Sequence, residues 1–187
     1  MKNRFVFLNY GYSIRNFSTH TNKRLKLAPQ IKTMAKRIIN SYEEFEALLG
    51  ELIGVSDYVQ ITQEQIDKFA DATMDHQWIH TDPDRAANES PFGTTIAHGY
   101  LSLSMLTYLW YNVVEVNNVK MIVNYGIEKL RFQSPVKVND RIRAIVSLNE
   151  IKNLRGVARI QVKIVVEIEG EKKPAYDALV NFLYHFN

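Results

Sequence analysis

The stretch DHQWIH, Asp75 to His80, sets an acid and a histidine five positions apart. A carboxylate and an imidazole held near one another can grip a water and pass protons. Their ordinary pKa values, about 3.9 and about 6.5, bracket useful base strengths. The same two residues could instead tie down the backbone of their own loop, and spacing alone favours that plainer reading. His76 and His80 stand at i and i+4, the separation of a helical metal pair. The stretch lacks the glutamate of an HExxH site and has no helical pattern, so no metal is expected. Eighteen residues after His80, His98 opens HGYLSLSMLTYLW, with Gly99 beside it.

These residues need a frame. Ser41 and Glu44 have capping-box spacing, followed by Tyr42, Phe45, Leu48 and Leu49 at helical intervals, with Gly50 or Gly54 as the stop. VSDYVQIT reads as a short strand. Thr62 and Gln65 form a second capping box, opening a helix with Ile66, Phe69, Ala70 and Thr73 on one face. Residues 74–82 lack a period and read as loop. Asp82-Pro83 then reads as an N-cap with proline at the first helical position. From His98 to about Val114 the chain is almost wholly apolar, the mark of a helix buried nearly all round.

After Asn118 come four stretches that are β-branched or aromatic-rich, and several of them alternate apolar with polar residues. Turn signals fall at Ser134-Pro135, Asn139-Asp140, Arg155-Gly156 and Glu169-Gly170. With the strand near residue 57 this predicts an antiparallel sheet of about five strands, packed on the long helix in an α+β fold. Open sheet edges invite a partner chain.

Composition narrows the function. The 187 residues fit one domain plus a tail, and 46% hydrophobic residues support a packed core. The net charge of +3 misleads: nine of the 23 Lys/Arg and no Asp or Glu lie in residues 1–37. The other 150 residues carry 14 basic and 20 acidic side chains, which argues against a nucleic-acid surface. Residues 1–33 read as a start placed too early, ahead of Met34, or as an acid-free transit peptide; the folded domain is expected over 34–187. The chain has no cysteine and no apolar run of membrane-spanning length. A cytoplasmic location is expected, or a mitochondrial one if residues 1–33 act in targeting.

FADATMDHQWIHTDPDRAANESPFGTTIAHGYLSLSML, Phe69 to Leu106, resembles the hydratase-2 motif of the MaoC-like dehydratases, and DHQWIH is similar to the nodulation-protein-N subgroup. The likeness continues through VNYGIEKLRFQSPVKVNDRIRA (residues 123–144) and covers roughly residues 40–185. It implies a hot-dog fold, a homodimer paired through sheet edges, and no cofactor. It further implies reversible hydration of trans-2-enoyl thioesters to (R)-3-hydroxyacyl thioesters, carried on coenzyme A or acyl carrier protein. By this resemblance Asp75 and His80 are the catalytic side chains, and the Gly99 amide is the oxyanion donor. Where many members have Asn-Pro this chain has Gln77-Trp78, and Met74 stands where glycine is frequent.

The chemistry suits those types. Hydration needs a water held and deprotonated, a proton delivered to the α-carbon, and a seat for the enolate oxygen. Asp75 and His80 suit the first two, with the formal base open between them. A helix-start amide at Gly99 suits the third. Trp78, His98, Thr107 and Arg131 are the candidate substrate contacts: Trp78 for acyl size, Arg131 for a coenzyme phosphate. Two rivals are a hot-dog thioesterase and a non-catalytic acyl-thioester binder. The paired Asp and His argue against both.

Overall fold

The computed structural model describes residues 35–187; the basic extension expected over residues 1–33 lies outside them. β1 (Arg37–Ile39) leads into α1 (Tyr42–Glu46), where Ser41 Oγ accepts from the Glu44 amide. The Glu44 carboxylate accepts from the amide of Asn40 at 2.7 Å, one residue earlier than a capping box would place it. Gly50 takes φ 83° in the turn beyond this helix, whereas Gly54, the other expected stop, lies in β2 (Leu52–Val55). The single strand expected near residue 57 is split into β2 and β3 (Val59–Gln60). Ser56 holds the junction to the sheet, its amide donating to the Ala144 carbonyl and its Oγ accepting from the Ala144 amide, both at 2.9 Å.

α2 (Gln63–Thr73) has both bonds of its capping box. α3 (Trp78–Thr81) is one helical turn inside the expected loop. α4 (Pro83–Glu89) starts as read: Asp82 accepts from the Arg85 amide at 3.0 Å, and Pro83 needs no N–H there. The long apolar run forms α5 (Gly99–Ser104) and α6 (Leu106–Val113), jointed at Met105, whose dihedrals stay right-handed helical. It is not buried all round. Tyr100, Tyr108 and Tyr111 stand on the exposed side, where a phenol can keep its hydroxyl in water.

β4 (Val114–Val116) pairs parallel with β1 as a small separate sheet. β5 (Val119–Phe132), β6 (Arg141–Asn153), β7 (Val157–Ile168) and β8 (Tyr176–Phe186) follow as the four β-rich stretches predict, with alternating burial along β6 to β8 and no buried residue in β5. The main sheet runs β2-β6-β7-β8-β5, with β3 also on β6, all antiparallel. It has six strands rather than about five because of the split at Ser56. Arg155 and Gly156 both take positive φ, and the Leu154 amide donates to Val157 O. That is the two-residue turn whose twist matches a hairpin.

Ile160, Val162 and Ile164 of β7 and Val180, Phe182 and Tyr184 of β8 are buried in one core with Leu109, Trp110 and Val113 of α6. Trp110 stacks on Phe182 with ring centroids 5.5 Å apart, and its N–H donates to the Tyr184 hydroxyl at 2.7 Å. That bond lets a large indole be buried without an orphaned donor. The helical layer is thereby clamped to the sheet, and the start of α5 is carried to the C-terminal end of β5.

Candidate active site

α2 stops in an unusual way. Met74 sits in the left-handed region with φ 60°, and the amides of Met74 and Asp75 both donate to Ala70 O. This is a helix stop that glycine makes without strain. It turns the chain sharply, so Asp75 leaves α2 beside His98 rather than continuing along the helix axis.

α3 presents His80. The His80 amide donates to Gln77 O at 2.9 Å, fixing the turn. Its ring nitrogen Nδ1 lies 2.7 Å from Ile96 O. A carbonyl only accepts, so Nδ1 carries the hydrogen and the neutral ring keeps its lone pair on Nε2. His80 is 8% exposed. Burial holds its imidazole below the ordinary range; the Ile96 carbonyl opposes that, and neighbouring His98 adds to it. The ring is therefore a base at neutral pH.

Gln63 fixes the back of this turn. Its Nε2 donates to the main-chain O of His80 at 2.8 Å, while its Oε1 accepts from the Thr95 hydroxyl at 2.5 Å. Residues 95–97 are stitched on both sides. The Ile96 amide donates to Ile79 O, the Ala97 amide to Val136 O and the Val138 amide to Thr95 O. Neither Gln63 nor the Ile96 carbonyl is marked by residue type, and only the fold reveals them.

The structure brings Asp75, His80 and His98 together: one ligating atom from each lies within 4.8 Å of the other two. One water can reach a carboxylate oxygen and an imidazole nitrogen at that spacing. Asp75 is about half exposed and His98 is 3% exposed. His80 and Gly99 line one cavity of about 280 Å³ with Ser102, Phe132, Gln133 and Ala175. As the first residue of α5, Gly99 has an amide without an intrahelical acceptor.

None of the four expected substrate contacts lines that cavity, and Asp75 and His98 stand beside His80 just outside its wall. The Trp78 ring lies under the Arg85 guanidinium, 4.4 Å away, so its face is taken by α4. Thr107 lines a separate space of about 330 Å³ with Asn124, Tyr125 and Ile127. Arg131 is exposed on β5, opposite Asp177 and one residue before Phe132. Among the described residues no helix is long and apolar enough to cross a membrane.

A model of the MaoC-like domain matches residues 44–170. The chain belongs to the MaoC-like family. 3-Hydroxyacyl-thioester dehydratase Z of Mycobacterium tuberculosis (strain ATCC 25618 / H37Rv) is 49% identical over 140 residues, covering 74% of this chain and 92% of the relative. Nodulation protein N of Rhizobium leguminosarum bv. viciae is 42% identical over 141 residues, covering 74% of this chain and 87% of that protein. The crystal structure of the monoamine oxidase regulatory protein from Archaeoglobus fulgius superposes with a TM-score of 0.65 at 26% identity, over 82% of this chain and 99% of that one. The fold is thus the hot-dog fold of the MaoC-like dehydratases. The Thr62–Gln65 capping box, the Asp75-to-His80 turn and the strands β6 and β7 all lie inside the matched MaoC-like segment.

Proposed function

We propose that this MaoC-like protein is a hydro-lyase that adds water to trans-2-enoyl thioesters and removes it from (R)-3-hydroxyacyl thioesters. The observation that carries the reading is the neutral His80, with its lone pair on Nε2, beside the Asp75 carboxylate and in one cavity with the Gly99 amide. The relative named a 3-hydroxyacyl-thioester dehydratase supports the same chemistry.

In the hydration direction Asp75 and His80 hold one water. His80 Nε2 takes a proton as the water oxygen bonds to the β-carbon. The carboxylate of Asp75 accepts the water's second O–H and steadies the imidazolium. Negative charge moves to the thioester oxygen, where the Gly99 amide donates to it at the positive end of a helix. The imidazolium then returns its proton to the α-carbon. Dehydration retraces these steps. No redox partner is required, and all the proton transfers are between water, His80 and the acyl chain.

The exposed aromatic and apolar side chains Tyr100, Tyr108, Met121, Tyr125 and Ile127 lie on α5, α6 and the sheet-edge strand β5. They support a homodimer joined along that edge, and sedimentation at micromolar concentration tests it. The folded unit is residues 34–187, in the cytoplasm, with residues 1–33 as an extension. The thioester carrier is coenzyme A or acyl carrier protein. Crotonyl-CoA tests the chemistry: loss of its ultraviolet absorbance without release of free thiol supports hydration. Thiol release would instead mark a thioesterase, and binding without turnover an acyl-thioester binder.

A further inference from the structure

His98 touches both Asp75 and His80 while standing outside the wall of the cavity that they serve. Its Nε2 lies 2.9 Å from the main-chain O of Asp75 and 3.9 Å from Oδ2 of the same residue. Its ring stacks on His80, with centroids 3.8 Å apart and planes 26° from parallel. Phe69 of α2 packs against it at 5.1 Å. One side chain therefore joins the end of α2, the turn α3 and the start of α5.

We propose that His98 is a positioning residue, whose N–H and ring face together fix the Asp75 carboxylate relative to the His80 imidazole. The geometry stands by itself; the kinetic consequence rests on the hydration reading above.

The residue type follows from two demands. The Asp75 carbonyl lies past the αL stop at Met74, where the helix no longer supplies a donor. The slot between Phe69 and His80 has room for a flat ring. Phenylalanine would meet only the second demand and glutamine only the first, whereas histidine meets both. It does so at a cost. Because Nε2 donates to a carbonyl, Nδ1 of the neutral ring is a bare acceptor, and it is buried without a hydrogen-bond partner. Buried polar atoms nearly always find a partner, so an unpaired one at the joint between two candidate catalytic residues calls for a reason. The ring is thus held in one orientation, by its bond to the Asp75 carbonyl and its stack on His80. Such rigidity suits a strut, since displacing a reacting group by about 1 Å can cost on the order of 100-fold in rate.

The test is a double-mutant cycle with Asp75→Asn, read by crotonyl-CoA hydration, alongside nitrogen NMR of the imidazoles. His98→Phe is expected to lower kcat about 10- to 100-fold with KM changed less than about threefold. His98→Gln, which restores a donor, is expected to recover part of that loss. Combining His98→Phe with Asp75→Asn should add little to Asp75→Asn alone, because the strut acts through Asp75. Losses that multiply, or full activity in His98→Phe, would overturn the proposal. If His98→Phe does not fold, His98→Gln carries the same cycle. NMR of the unmodified protein should show His98 protonated at Nε2 and bare at Nδ1, and His98→Gln should shift the His80 ring signals. A hydrogen missing from His98 Nε2, or unmoved His80 signals, would also overturn it. An unmodified protein that fails to hydrate enoyl thioesters but shows these NMR signatures would sink the hydration reading and leave the strut in place.

Discussion

The ring of Phe132 lies across Gly99. A side-chain carbon placed on Gly99 would meet Phe132 Cζ at 3.2 Å and Cε1 at 3.3 Å. The end of β5 and the start of α5 approach this closely because Gly99 has no side chain. Gly99→Ala should push the ring aside and crowd the amide offered to the thioester oxygen. We expect kcat/KM to fall at least about 10-fold, toward the loss seen when an oxyanion donor is removed, with the circular dichroism spectrum unchanged. Phe132→Leu in the same chain should return part of the activity. Full activity in Gly99→Ala would remove Gly99 from the mechanism.

The pH dependence follows from His80. Burial is the main cause holding its imidazole below 6.5, with His98 adding to the effect and the Ile96 carbonyl opposing it. The fold therefore disfavours protonation of this ring. The associated stability is fully present above pH 6.5 and is lost as the pH falls through the lower folded value. The base form likewise persists below 6.5, so the acid limb of kcat/KM for hydration should fall below pH 6.5. A limb above that value, or one that survives unchanged in His80→Gln, would contradict the assignment of His80 as base.

Met74 carries a backbone cost next to Asp75. At φ 60° a non-glycine residue is strained by about 1 kcal/mol or more. Its side chain is exposed and contributes little packing. Met74→Gly should stabilise the protein by about 0.5 to 1 kcal/mol, after the extra chain entropy of glycine is set against the relieved strain. A urea or thermal melt checks this, and a destabilised variant would show that Met74 has a contact that the strain argument omits.

Acyl size should respond to Phe132 and not to Trp78. Phe132 lines the cavity of about 280 Å³, whereas Trp78 is stacked under Arg85. Phe132→Ala should raise the relative kcat/KM for longer enoyl-CoA substrates several-fold, while Trp78→Ala should leave the chain-length profile unchanged. A profile moved by Trp78→Ala alone would restore the size role expected for it from the sequence.

Much of this was legible in residue order, for physical reasons that differ by element. β6 to β8 were readable because a sheet with one buried face forces alternation, and the Arg155-Gly156 turn needs two positive φ values, whereas β5, with no buried residue, was readable only from its β-branched and aromatic content. Asp75, His80 and Gly99 were singled out through the resemblance of their segment to a known motif, and the fold sets Asp75 beside His80, and Gly99 in one cavity with His80. By spacing alone Asp75 and His80 would have passed for loop caps. α3 was missed because a single turn has no period. The run from His98 to Val114 was read as one helix buried nearly all round from its Leu, Met, Trp and Val positions, yet Tyr100, Tyr108 and Tyr111 face outward and keep their hydroxyls in water. For Trp78, nothing local shows that Arg85, on the next helix, covers its ring. His98 could be marked as a helix start from sequence. Its bond to the Asp75 carbonyl joins residues 23 apart and had to await the fold.

The central claim is that Asp75 and His80 act on one water. The most direct measurement is the steady-state hydration of crotonyl-CoA by the unmodified protein, Asp75→Asn, His80→Gln and the double variant, each shown to be folded and each assayed with and without a chelator. The account predicts brisk chelator-insensitive hydration by the unmodified protein. Each single change should cost about 100-fold or more, and the double variant little beyond the worse single. Folded single variants that retain full activity would contradict it.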